Sequence, residues 1–167
     1  VELRRFFDRA VRASFHDLAL DDAAAAEYLA DLLTRFARTE QLYPRGLAVA
    51  RLETVVDMLL EIQAAWLGDA FYPEREVEVR RHIGDYTLFM TGLFPERVER
   101  ASSTAFYVDQ GKRAYRFVWE HARARARDAA PAFRRLAEHF ERYAGALDYA
   151  RRVHFADAPE LPFPGLA

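Results

Sequence analysis

The sequence predicts an all-α protein: a single-domain bundle of about six helices, mostly antiparallel, with an extended Pro-rich C-terminal arm. Three observations carry this. Apolar residues recur near a 3.6-residue period from end to end. No stretch shows strict apolar and polar alternation between turn signals, as a half-buried strand would. Capping residues, first-turn prolines and terminal glycines punctuate the chain at helix-length intervals. A length of 167 residues suits one compact domain, divided into a bundle over 1–156 and a tail over 157–167.

The first helix is expected over 2–19, with Leu3, Phe7, Ala10, Ser14 and Leu18 on one face. Asp21 or Asp22 caps a second over 23–38, whose stripe is Tyr28, Leu29, Leu32, Leu33 and Phe36. A third over 47–67 aligns Leu52, Val55, Val56, Leu59, Ile62, Trp66 and Leu67 and stops at Gly68. Pro73 opens a fourth that runs to Gly92, with Pro95 just past its end. Ser102 or Ser103 caps a fifth that runs to Arg127 and buries Tyr107, Val108, Gly111, Ala114, Tyr115, Val118, Trp119 and Ala122. Asp128 and Pro131 open a sixth that runs to Phe155. The prolines after it prevent helix continuation, and Leu161 and Phe163 are expected to pack back over the bundle.

Composition removes several function classes. Apolar residues make up 51% and charged residues 30%, which is a globular balance. No apolar run approaches the roughly 20 residues that span a bilayer, so no membrane partner is expected. A net charge of −2 lacks the basic surplus that phosphate-backbone binding needs, so no nucleic acid is expected either. The arginines in the run from His121 to Arg127 point in different directions and form no basic stripe. Absence of cysteine excludes disulfides, thiol nucleophiles and thiolate metal sites. Lys112, the only lysine, falls on a polar face, which nearly excludes Schiff-base chemistry. No signal-peptide pattern opens the sequence, and cytoplasmic residence is expected.

The strongest polar cluster lies on the fourth helix. Glu78, His82 and Asp85 fall in one sector about 60° wide, where side chains three and four residues apart meet. Imidazole and carboxylate at that spacing can share a divalent ion, or the carboxylate can fix the histidine tautomer. The competing structural reading is a semi-buried histidine bonded to Asp85 and to an arginine from another helix. A metal would need further ligands, and Glu53, Asp57 and Glu61 on the third helix mostly project away from its apolar stripe. Gln63 projects into that stripe and should bond to another helix, because an unpaired buried amide costs about 1–3 kcal/mol. The remaining histidines, His16, His121, His139 and His154, read as surface or helix-end residues. Gly84 and Gly111 sit on buried faces, where glycine permits close approach of another helix or leaves room for a small apolar ligand.

Gly84, Asp85, Leu88, Phe89, Gly92, Phe94 and Pro95, followed by Tyr107, Gly111, Ala114 and Tyr115, form a recognisable pattern. It resembles a family of uncharacterised bacterial all-helical proteins with a GDxxLFxxGxFPE segment and a Tyr-rich GxxAY helix. The resemblance covers roughly the second half of the chain and implies a helical fold without an assigned activity. His82 lies outside the pattern. With no complete catalytic constellation and no cofactor motif, the expected function is a non-enzymatic module that binds a protein partner or self-associates. The alternatives are a metal-binding, possibly metal-dependent enzyme on Glu78, His82 and Asp85, or a small apolar ligand binder.

Overall fold

The computed structural model describes residues 2–37, 59–60, 73–124 and 130–155. Among them are seven α-helices, a closing π-helical turn and no strand: α1 (Glu2–Asp17), α2 (Ala23–Phe36), α3 (Pro73–Leu93), α4 (Pro95–Ala101), α5 (Thr104–Ala124), α6 (Ala130–Glu138), α7 (Phe140–Tyr149) and the turn Ala150–His154. This is the all-α bundle that the periodicity requires.

Each helix follows its local chemistry. α1 buries Phe7, Ala10, Val11, Ser14 and Phe15, a 3.6-period face. It ends earlier than expected, because the Leu20 N–H bonds Phe15 O at 2.8 Å and the Ala19 N–H bonds His16 O at 3.2 Å. That pair of bonds makes a Schellman stop, with Ala19 at φ 55° in the place where glycine is usual. The turn lifts Leu18 off the apolar face and leaves it 40% exposed, contrary to the expected stripe. Asp22 is the α2 cap and accepts the Ala25 N–H at 3.0 Å.

Two further boundaries differ from expectation. Pro95 does not simply follow a helix; it begins the short α4, with Phe94 as its cap, since proline lacks only a donor that the first turn leaves unpaired. The expected single helix to Phe155 is broken at His139, and its end widens into the π turn, where the Phe155 N–H reaches Ala150 O at 2.9 Å. Of the expected third helix only Leu59 and Leu60 are described, both helical. The rest of it lies outside the described residues, with Glu53, Asp57, Glu61, Gln63, Arg125 to Arg127 and the C-terminal arm.

α3 is central. Val79, Ile83, Tyr86, Leu88, Phe89, Met90 and Leu93 are all buried. It packs antiparallel on α5, with Arg80 against Phe117 and Tyr86 against Tyr107, and it also meets α7, with Gly92 against Leu147. α1 and α2 form an antiparallel hairpin clamped by Arg4 on Asp31 at 3.1 Å. No helix among the described residues is long and apolar enough to cross a membrane.

Candidate functional site: the buried Asp85 cluster

Asp85 is 1% exposed in the middle of α3. A carboxylate there must have its charge and oxygens satisfied, or burial would cost several kcal/mol. Three helices supply the partners. Oδ1 accepts the Tyr28 hydroxyl from α2 at 2.6 Å and the Tyr115 hydroxyl from α5 at 2.7 Å. Oδ2 accepts Arg35 Nη2 from α2 at 3.1 Å, and Arg81 Nε lies 3.9 Å away. Arg35 Nε continues to Asp31 at 2.9 Å, and Asp31 meets Arg4 of α1. One polar ladder thus runs from the α1 surface through α2 and α3 to α5.

The electrostatics follow from this packing. Burial, then the adjacent Asp85 charge and its accepting oxygen, push the Tyr28 and Tyr115 phenols far above their ordinary value of 10, so both remain protonated donors. Burial opposes the Arg35 charge, but Asp85 and Asp31 outweigh it and raise its pKa further. As arranged, the cluster holds helices together. Its hydroxyls are far from ionising, and the carboxylate oxygens already carry three bonds at normal hydrogen-bond distance.

The three residues expected to form one site are placed differently from one another. Glu78 is exposed and lies 3.8 Å from Arg75. His82 is buried, 8% exposed, with its ring 5.8 Å from Phe36 and 6.2 Å from Tyr86. Asp85 alone enters the ladder. Among the described residues, no three His, Asp or Glu side chains converge as metal ligands. An arginine from another helix does enter the cluster, but on Asp85: Arg35 of α2. The two tyrosines were legible only as buried residues whose hydroxyls needed a partner, not as partners of this aspartate.

The glycines belong to the same unit. A Cβ on Gly84 would lie 2.6 Å from the Tyr115 ring, so the missing side chain lets that ring cross α3 and place its hydroxyl on Asp85. A Cβ on Gly111 would meet the Phe140 ring and lie 2.5 Å from Thr87 Oγ1. Side chains of this chain therefore lie directly against both glycines. The described surface has an open groove of about 460 Å³ lined by Leu18, Ala19, Leu20, Glu141, Arg142 and Gly145, none of them in the Asp85 ladder.

Outside this cluster, Lys112 pairs with Glu141 at 2.8 Å on the polar face expected for it. His154 Nε2 lies 3.0 Å from Asp17 Oδ2, which also accepts the Tyr149 hydroxyl at 2.9 Å. The sequence offered no sign of that grouping, since Asp17 is separated from both by most of the chain. His16 is exposed, and His121 and His139 are half-buried. Comparison of the chain with protein-family models, with curated proteins and with solved structures finds no match.

Proposed function

We propose that the chain is a non-enzymatic helical module that acts by binding a protein partner or a second copy of itself. The observation that supports this most is the state of Asp85. Its oxygens are taken by Tyr28, Tyr115 and Arg35, so the main buried polar group serves helix packing and leaves no base directed at a substrate. The resemblance to uncharacterised bacterial helical proteins fits the same reading: Gly84, Asp85, Gly111 and Tyr115 of its pattern are explained by packing. A cytoplasmic setting is part of this proposal.

Sedimentation velocity over a wide concentration range, together with native mass spectrometry of lysate from cells making the protein, tests the reading. A reproducible stoichiometric complex or a concentration-dependent dimer is expected. A monomer at every concentration with no partner would reject it. A metal enzyme built on Glu78, His82 and Asp85 predicts instead that untagged protein carries stoichiometric iron, manganese or zinc after reconstitution, and that Asp85→Asn removes it.

A further inference from the structure

Arg81 stands beside the buried ladder with hydrogen-bonding capacity left over on both terminal nitrogens among the described residues. It lies on α3 one turn before Asp85, with its side chain 45% exposed. Its guanidinium carbon sits 5.7 Å from the ring centroids of both Tyr28 of α2 and Phe133 of α6, which pack edge-to-face 5.5 Å apart, so the group rests on one aromatic pair. Nε donates to the Tyr28 hydroxyl at 3.3 Å and faces Asp85 Oδ2. Among the described residues, no acceptor is bonded to its two terminal nitrogens. Glu78, one turn earlier on the same helix, is drawn to Arg75 instead.

The local charge has the same bias. Arg4, Arg35 and Arg81 face Asp31 and Asp85, three cations on two anions. Arg35 and Arg81 both approach the same oxygen, Asp85 Oδ2, so a second guanidinium stands beside the first. A planar guanidinium with an open edge matches two oxygens of a carboxylate or phosphate at once. Contact with the aromatic pair and the Nε bond to Tyr28 restrict the side chain beforehand, so less rotamer freedom is lost when a ligand binds. Arginine and tyrosine are also the residues that dominate binding energy at interfaces.

We propose that Arg81, supported by Arg35, is a receptor for an oxyanion, a carboxylate or phosphate group of a ligand that docks on the face between α2, α3 and α6. The site stands on its own geometry and does not require the ligand to be a protein.

The test follows arginine Nε–H resonances of the full chain by NMR during separate titrations with sodium phosphate and sodium acetate. Chloride is exchanged out to hold ionic strength constant, because screening alone shifts exposed charges. A saturable shift of the Arg81 resonance with at least one anion is expected. In Arg81→Gln, followed by the Tyr28 and Phe133 ring signals, apparent affinity should fall about tenfold or more. Arg81→Lys, which keeps the charge and loses the fork, should also weaken binding, and it serves as the readout if the glutamine variant does not fold. Arg134→Gln, removing an exposed arginine over Trp119, should leave affinity unchanged. Stronger binding of acetate identifies a carboxylate ligand, and stronger binding of phosphate a phosphoryl ligand. A non-saturating response to both anions, or equal saturation in the Arg81 variants, overturns the proposal.

Discussion

Asp22 joins three elements through one carboxylate. Its Oδ1 caps α2 at Ala25, while Oδ2 accepts the Tyr143 hydroxyl of α7 at 2.8 Å and lies 2.7 Å from Arg135 Nε of α6. Burial works against ionisation, but the Ala25 N–H, the tyrosine hydroxyl and the arginine charge together hold its pKa below the ordinary 3.8. The folded state therefore binds this proton less readily than the unfolded chain. Its contribution is present above pH 3.8 and is lost as pH falls through the lower folded value. Asp22→Asn should keep most of the cap, weaken the Arg135 pairing and flatten the acid limb of stability against pH, measured by urea unfolding between neutral and acidic buffer. An acid limb identical to that of the wild type would show that Asp22 is not a source of it. That Asp22 would cap a helix was legible from the aspartate before an apolar run. Its other two bonds come from residues more than a hundred positions away, which local patterning cannot identify.

At the scale of elements, glycine placement decides how closely helices approach. Gly84 lies under the Tyr115 ring, whose hydroxyl is fixed on Asp85 and cannot retreat without breaking that bond. Gly145 on α7 has open space where a Cβ would go. Gly84→Ala should cost about 1–3 kcal/mol through overpacking. Gly145→Ala should gain up to about 1 kcal/mol, because it adds helix propensity without a clash. Urea midpoints of the two variants should move in opposite directions, and a stabilised Gly84→Ala would mean that the α3–α5 contact is looser than described. The sequence marked Gly84 and Gly111 as points of close approach. It did not show that the approaching groups are the rings of Tyr115 and Phe140, since that depends on how α5, α6 and α7 are rotated against α3. The extra helix α4 and the break at His139 escaped prediction for a related reason: proline after one helix also suits the start of the next, and the break at His139 carries no proline or glycine.

For the molecule as a whole, the Arg4–Asp31–Arg35–Asp85–Tyr115 ladder ties α1, α2, α3 and α5 together through a buried charge. Such a charge adds little net stability when paired, yet removing one partner is costly. Asp85→Ala should cost about 3 kcal/mol, the lower end of the usual range, because Arg35 keeps 29% exposure and can rehydrate. Tyr115→Phe should cost about 1 kcal/mol, since it removes a single hydrogen bond while Tyr28 still serves the same oxygen. Denaturant unfolding of the two variants checks both the order and the size. Equal stability of Asp85→Ala and wild type would refute a structural role for the ladder. By itself the sequence determined the helical class and most helix starts, because these depend on periodicity, capping and backbone chemistry within a few residues. Only the tertiary structure decided that Asp85 would meet Tyr28, Tyr115 and Arg35, that His82 would sit among rings, and that Arg81 would keep an open edge. Those outcomes depend on the rotation and register of helices far apart in the chain, where many pairings satisfy the same apolar pattern and the packed side chains select one.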